Sequence, residues 1–313
     1  MYNCKGFSKL PNIYSGNATN FDCAFYGTEL EEITFIDTSN ATNMESMFSQ
    51  CKKLTTIKQL DTYNATNIFG MFNGCESLTS IPQLDISKAT ATSQLFSYCK
   101  KLTSIPQLDT SNAEYMYNMF RGCENLTSIP PLNTSKCKHM ESMFSDCKKL
   151  ISIPQLDTSN VTEMNYIFAG CESLTSIPQL DTSKVTTCWG MFYNCKELTT
   201  IPPLNTSSAT NIGEMFNGCS KLTNIPELDV SKATNMRNIV NGCTSLTSIG
   251  MYGFTRSIDI SPTALEHDAI VAFLNQAGTA YDSSQRITMG SAKLALLSDE
   301  EKAIATNKGW TLA

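Results

Sequence analysis

A chain of 313 residues with 41% hydrophobic side chains carries apolar material for a large core, whereas its formal charge of -6 and lack of any dense Lys/Arg stripe set nucleic acid aside as a partner. No apolar run approaches the ~18 to 20 residues of a membrane span. The opening MYNCKGFSKLP lacks a charged stretch followed by an apolar one, so the expectation is a soluble body, or a piece of a longer chain whose export signal lies upstream.

The first elements in chain order are repeats. NCKGFSKLPNIYSGNATNF is a worn copy that puts Cys4 in register, and AFYGTELEEITFIDTSNATNM places Thr28 in the same slot after a one-residue deletion. From MFSQCKKLTTI onward a cysteine recurs every 24 residues, at Cys51, Cys75, Cys99, Cys123, Cys147, Cys171, Cys195, Cys219 and Cys243, within the unit MFxxCxxLTSIPxLDTSxATxM. Met44, Met47, Phe48 and Cys51 fall at i, i+3, i+4 and i+7, as do Ile68, Met71, Phe72 and Cys75, which predicts a short helix with one inward face. A Thr- and Ile-rich extended segment follows, with its Leu and Ile pointing inward, as at Leu102, Ile105 and Leu108. Pro82, Pro106, Pro130, Pro154, Pro178, Pro202 and Pro226 cannot donate a ladder hydrogen bond, so each strand must be short or bent there. A 24-residue unit cannot bury its own apolar face. The units must therefore stack, and the expected fold is an α/β repeat solenoid of about ten coils over residues 1-250, on the order of 50 Å long at a strand spacing of ~4.8 Å.

A second period lies inside the first. The pairs Lys52-Lys53, Glu76-Ser77, Lys100-Lys101, Glu124-Asn125, Lys148-Lys149 and Glu172-Ser173 alternate in charge, and Gly74, Gly122 and Gly170 precede the cysteine in the acidic coils only. Stacked coils would set opposite charges against each other, though exposed pairs contribute only about 0 to 1 kcal/mol each. The unit of duplication is then two coils.

The motif in which MF..C..L precedes an L..I..LD strand and an S.(A/V)T.M turn resembles the leucine-rich-repeat-like units of BspA-type bacterial surface proteins, and the related short repeats of mycoplasma and Listeria surface lipoproteins. The resemblance covers about residues 4 to 250. It implies a leucine-rich-repeat-like solenoid and a non-enzymatic recognition or adhesion module, with a protein or glycan ligand on a host or neighbouring cell, located at the cell surface or secreted. Similar arrays in prophage tail regions imply the alternative of a structural or receptor-binding component of a phage particle.

After LTSIGMYGF the composition changes, and residues 251-313 read as a small α/β cap of helix, strand, helix and strand. Ser261 as N-cap and Pro262 at the first helical position open PTALEHDAIVAFLNQAG, with Leu265, Val271, Phe273 and Leu274 apolar and Gly278 as the stop. QRITMG reads as a strand. Ser298 with Glu301 is a capping box for a second helix, Gly309 its C-cap, and WTLA the last strand. The N-terminal coil has no equivalent cover, which suggests self-association through that coil, missing upstream sequence, or fraying.

For chemistry, one cysteine per coil and two histidines in different segments, His139 and His267, do not give the converging spacing of a zinc site, so no metal or cofactor is expected. The cysteines read as buried thiols packing as small hydrophobes, and Cys23, Cys137 and Cys188 fit other slots of the unit. The row Asp37, Asp61, Asp85, Asp109, Asp157, Asp181 and Asp229, with Asn133 and Asn205 in the same slot, reads as Asx-turns rather than calcium ligands. No phosphate-binding Gly-Lys-Ser/Thr loop, nucleophile elbow or His-Glu-x-x-His motif is present, and His139 is placed opposite the apolar face as a solvated residue. What remains is surface. Ser80, Ser104, Ser128, Ser152 and Ser176, with Gln83, Gln107, Gln155 and Gln179, should line an exposed strand face. Phe69, Tyr117 and Trp189 occupy a slot that elsewhere holds Glu45 or Arg237, and outward aromatics there can stack on sugars or anchor a protein, or pack half-buried on the next coil. These aromatics and glutamines are the candidate partner-binding residues.

Overall fold

The computed structural model describes residue 4 and residues 8–313. Only the opening residues of the worn first repeat lie outside the described residues, and Lys9, Ile13 and Asn20 form parallel bridges to Glu32, Ile36 and Asn43 of the coil that follows. The chain divides into two compact units, Met1–Asn160 and Val161–Ala313, and the repeating coil builds both.

In the first unit, β1 (Glu32–Ile33) and β2 (Thr56–Ile57) pair in parallel, and single parallel bridges then join Asn43 to Asn67, Ala91, Tyr115 and His139 in succession. In the second, β3 (Asn224–Asp229) pairs in parallel with β4 (Ser248–Tyr252), and bridges link Glu163, Thr187, Asn211 and Asn235. Regular strand pairs form where the proline slot is vacant in at least one partner. Lys58 occupies that slot in β2 and its N–H donates to Ile33 O at 2.9 Å, the bond that proline forfeits in most other coils. Gly250 occupies it in β4, where a Cβ would stand 2.7 Å from the Pro226 backbone.

The segment predicted as a helix buries the predicted face: Met44, Met47, Phe48 and Cys51 are fully buried. Its backbone, however, is a run of tight turns. Met44, Ser46, Phe48 and Gln50 donate their N–H groups to Asn67, Phe69, Met71 and Asn73 of the next coil at 2.6 to 2.9 Å. The residues between them close i−3 turns, such as Ser49 N to Ser46 O at 3.0 Å and Cys51 N to Phe48 O at 3.1 Å. Ser46 and Gln50 are left-handed at φ 50° and 62°, which no α-helix permits. An isolated helix this short is unstable, while half the donors used between coils knit the stack.

Inside, phenylalanines stack coil on coil. Phe25, Phe48, Phe72, Phe96, Phe120 and Phe144 follow one another at centroid spacings of 5.4 to 5.9 Å, and Phe168, Phe192 and Phe216 at 5.7 Å. The ladder cysteines lie beside them as free, buried thiols. Their thiols donate to phenylalanine carbonyls of the preceding coil, as Cys75 does to Phe48 O at 3.2 Å, Cys123 to Phe96 O at 3.1 Å and Cys219 to Phe192 O at 3.0 Å. Thr28, in the cysteine slot of its coil, instead donates its Oγ1 to Phe25 O of the same coil at 3.0 Å. Desolvation pushes the Cys123 and Cys243 thiols up to about 12. Cys4, assigned to the ladder by its spacing, is exposed.

The two-coil period has a steric basis. The residue before the cysteine is left-handed in every full coil described, and large and absent side chains alternate there from Gln50 to Gly218, before Gly242 repeats the glycine. A Cβ on Gly74 would meet the Gln50 amide at 2.4 Å, and one on Gly122 the Tyr98 ring at 2.6 Å. Each glycine therefore receives the side chain of the coil before it. The charges alternate with it: Lys52 and Lys100 both reach Glu76, at 3.1 and 2.8 Å, and Lys148 reaches Glu124 at 2.9 Å.

The second unit ends in the helix-bearing segment. β5 (Ile258–Asp259), β6 (Arg286–Thr288) and β7 (Thr311–Leu312) form a parallel sheet in that order, with α1 (His267–Gln276), α2 (Gly290–Leu294) and α3 (Asp299–Thr306). Helix α1 packs on β4 and buries Ile270, Phe273 and Leu274. Gln276, turned so that its amide nitrogen faces the strand, donates to Met251 O and Ile249 O at 3.0 and 2.9 Å, and Gly253 N donates to Gln276 O at 2.8 Å. The last coil's open backbone edge is thus satisfied by the segment that follows it. The expected start of α1 at Ser261 and Pro262 is corrected to His267, because Ser261 N is held by Asp259 Oδ1 at 2.8 Å and Ala264 N by Leu246 O at 2.9 Å. The capping box of α3 is present, with Ser298 Oγ and Glu301 each bonding the other's backbone. Its C-cap is Asn307, and Gly309, left-handed at φ 85°, lies two residues beyond.

Candidate functional site

In a repeat protein each column of the unit has its own structural optimum, so departures from the column mark positions held for another reason. The column that opens the turn run holds Asn43, Asn67, Asn211 and Asn235. Their Oδ1 atoms accept the N–H two residues on, at 3.1 to 3.3 Å, which fixes the start of the run. Tyr115 and His139, like Ala91, Glu163 and Thr187, stand in that column without an asparagine amide. Their rings stack at 5.2 Å, within 6° of parallel, and Tyr115 stays 42% exposed. His139, expected as a solvated residue, has a side chain 42% exposed, with its ring stacked face to face on that of Tyr115.

Further departures gather around it. Arg121 stands where neighbouring coils have Ser97 and Ser145, and Tyr117 where they have Ser93 and Glu141. Tyr115, Tyr117, Asn118, Arg121, His139 and Glu141 line one open hollow of about 410 Å³ in the first unit. The Arg121 guanidinium rests 5.6 Å from the Tyr98 ring, the ring that covers Gly122. Two polar atoms of the lining, Arg121 Nε and Asn118 Oδ1, are buried with no hydrogen-bond partner. Glu141 Oε1 lies 3.4 Å from His139 Nδ1.

Of the residues singled out in the sequence, Phe69 and Tyr117 are brought together, centroids 6.1 Å apart and tilted by 59°, both half-buried. Trp189, also half-buried, belongs to the second unit, where its Nε1 donates to Glu214 Oε2 at 3.4 Å. Gln83, Gln107, Gln155 and Gln179 are exposed, and their amide nitrogens are drawn into the stack. Gln83 donates to Gln107 O, Gln107 to Pro131 O and Gln179 to Pro203 O, each at 2.7 Å, while Gln155 bonds Leu156 O at 3.0 Å. The Asp row forms Asx-turns: Asp37, Asp109, Asp181 and Asp229 accept from Ser39, Ser111, Ser183 and Ser231 N–H at 2.9 to 3.2 Å. The hydroxyls of the same serines, and after them these N–H groups, hold the carboxyls below the usual carboxylate range. Among the described residues no group of three or more His, Cys, Asp or Glu is placed to hold a metal ion, and no helix is long and apolar enough to cross a membrane. The sequence reading missed Tyr115, His139 and Arg121. Comparing each column against its own consensus, rather than scanning for familiar motifs, would have found all three.

Comparison with known proteins follows the repeat. No curated protein matches the chain. Similar solved structures include a leucine rich cell surface protein from Faecalibacterium prausnitzii, at 22% identity over 79% of this chain and 83% of that one, TM-score 0.45. A leucine-rich repeat protein from Eubacterium ventriosum matches at 18% identity over 78% of this chain and 66% of that one, TM-score 0.50. One from Bacteroides ovatus matches at 17% identity over 97% of this chain and 91% of that one, TM-score 0.40. At these identities the likeness is one of fold. The family described as "Mycoplasma protein of unknown function, DUF285" matches four times, over residues 19–130, 78–179, 116–222 and 174–259. The coils share the leucine-rich-repeat fold, and the chain belongs to the DUF285 family.

Proposed function

We propose that this protein is a recognition module, displayed at a cell surface or secreted, that binds a protein or glycan on a host or neighbouring cell. The observation that carries the reading is the convergence of Tyr115, Tyr117, Arg121 and His139, from two consecutive coils, on one open hollow. The scaffold suits that role, since ladders of backbone, thiol, glutamine and threonine hydrogen bonds fix the outward side chains before any ligand arrives, which lowers the ordering cost of binding. Phe69 extends the aromatic patch beside Tyr117, and Trp189 offers a second anchor on the other unit. The Gln row contributes less directly, because its donors are already engaged. Adhesion would gain from several weak contacts acting together.

The test is binding of the intact chain to panels of extracellular-matrix proteins and immobilised glycans, repeated with Tyr115→Ala, Tyr117→Ala and Trp189→Ala. Loss of about tenfold or more in affinity for the first two variants is expected, in line with removal of an aromatic anchor. Undiminished binding in all three would reject the reading.

A further inference from the structure

Separately from the Tyr115 hollow, we infer that a second hollow, within the second unit, binds a tetrahedral oxyanion, sulfate or phosphate. It lies where the last coil meets the helix-bearing segment and has a volume of about 390 Å³. Asn235, Arg237 and Asn238 line it from the coil, and Arg256, Ser257, Asp259 and Gln285 from around β5 and β6.

Two cations border this space without an ion pair. Lys100, Lys148 and Lys221 each meet a glutamate of the preceding coil at 2.6 to 2.9 Å, whereas among the described residues neither Arg237 nor Arg256 pairs with a carboxylate. Arg237 is exposed. The Arg256 guanidinium lies 3.4 Å from the centre of the Tyr281 ring, a stacking that fixes its plane and covers only its face. Asp259 is the one carboxylate of the lining. Its Oδ1 accepts Ser261 N–H at 2.8 Å, and Lys293, whose Nζ donates to Ser261 O at 2.9 Å, lies within its field. Asp282, whose charge Arg256 also feels, is outside the lining, and its Oδ1 accepts from Ser284 N and Gln285 Nε2 at 2.8 and 3.2 Å. The hollow is therefore left positive.

The hydrogen bonds of the lining set the kind of ligand. Its acceptors are engaged: Gln285 Oε1 takes the Ser257 N–H and hydroxyl at 2.8 and 3.0 Å, Ser257 Oγ takes Arg286 N–H at 3.0 Å, and Asn235 Oδ1 takes Arg237 N–H at 3.1 Å. Its donors are open, since the amide nitrogens of Asn235 and Asn238 and the terminal nitrogens of both guanidinium groups bond no acceptor among the described residues. A neutral hydroxyl needs an acceptor as well as a donor, and a cation needs a free carboxylate. An oxyanion needs donors alone. A planar carboxylate is satisfied by one guanidinium fork, whereas a sulfate or phosphate has the further oxygens to meet donors arriving from the coil and from the segment beyond it.

The experiment is isothermal titration calorimetry on the intact chain at fixed ionic strength in chloride. The probes are inorganic sulfate and phosphate, glucose 6-sulfate and glucose 6-phosphate, acetate and glucuronate as planar anions, and glucose as the neutral control. Saturable binding of a tetrahedral anion is expected, about tenfold or more tighter than acetate or glucuronate, and weakened by about tenfold or more in Arg237→Met. Arg237→Lys, which keeps the charge without the fork, should recover only part of the loss. The Arg237 side chain makes no hydrogen bond or ion pair among the described residues, so its variants should melt as the native chain does. The test therefore stands on them even where Arg256→Met, which removes the Tyr281 stack, lowers stability. Esters binding more tightly than the inorganic ions would assign the site to a group carried on a ligand, and the reverse order to the free ion. Glucuronate binding as tightly as the sulfate and phosphate probes would overturn the tetrahedral assignment. No binding above chloride, or binding unchanged in Arg237→Met, would overturn the site. Tyr115→Ala should leave this binding untouched, which keeps the outcome separate from that of the recognition reading.

Discussion

At each ladder position a cysteine meets three demands at once: small volume, apolar surroundings and a second hydrogen bond for a carbonyl. Phe72 O accepts the N–H of Cys75 at 3.0 Å and the thiol of Cys99 at 3.2 Å, so the sulfur occupies what would otherwise be an unused lone pair in a dry core. Cys99→Ala should therefore cost about 1 to 2 kcal/mol in urea denaturation, with the transfer and cavity terms dominating. Reactivity is suppressed for the same reason. Burial holds the ladder thiols well above their usual range, and Cys23 is pushed to about 11, so alkylation near pH 8 should label Cys4 readily and Cys23 slowly. The eleven buried cysteines should be labelled, by mass spectrometry, only once denaturant is added. The Asp row carries its own pH dependence. Serine hydrogen bonds depress Asp37, Asp109, Asp181 and Asp229 in the folded state, so their contribution is present above the ordinary carboxylate pKa of about 4 and is lost as pH falls through the depressed values. Asp109→Asn should leave stability near neutral pH almost unchanged, because Asn133 and Asn205 make the same turn, and should flatten the acid limb of the pH profile.

At the scale of elements, the spacing of Met44, Met47, Phe48 and Cys51 correctly gave the inward face but not the backbone beneath it. Turns that recur every four residues put i and i+4 on one side much as a helix of 3.6 residues per turn does, so periodicity alone cannot separate them. The left-handed residues at Ser46, Gln50, Tyr98 and Asn118 carry no sequence signature strong enough to reveal the turns. The glycines in alternate coils were legible, and their partners were not. Gly122→Ala should cost about 2 to 3 kcal/mol, from the left-handed backbone and the collision with Tyr98. In a Tyr98→Ala background the collision disappears and only the backbone part, about 1 kcal/mol, should remain, a coupling that a double-mutant cycle measures directly. In the C-terminal segment, His267 joins Asp268 at 2.8 Å and Glu301 at 3.0 Å, tying α1 to the first turn of α3. Those carboxylates raise the His267 pKa. The stabilisation is then complete below about 6.5 and is lost as pH rises through the raised folded value, so the amide protection factors of α3, taken relative to the intrinsic exchange rate at each pH, should fall above neutrality in the native chain and become pH-insensitive in His267→Gln.

For the whole molecule, what holds the array is contact between neighbouring coils, with the Phe stack supplying the largest buried side chains. Phe120→Ala removes the ring between Phe96 and Phe144 and should cost about 3 to 5 kcal/mol. Because each coil touches only its neighbours, exchange protection should collapse first in the coils around Phe120 and persist in the helix-bearing segment. The Lys–Glu pairs between coils are half-exposed and contribute at most about 1 kcal/mol each, so they fix register more than stability.

The sequence by itself determined the solenoid, its 24-residue period, its two-coil duplication, the thiol packing and the Asx-turns, because each rests on a pattern repeated along the chain and a repeat can close its core only by stacking on its copies. Where α1 begins, how Gln50 and Tyr98 cover the following glycines, and that the glutamine donors face into the stack were decided by contacts between coils, which no single unit contains. The hollow belongs to the same class. Tyr115, Arg121 and His139 are scattered singletons in sequence, and only the parallel stacking of consecutive coils lays the Tyr115 and His139 rings 5.2 Å apart, beside a guanidinium with a nitrogen left to satisfy.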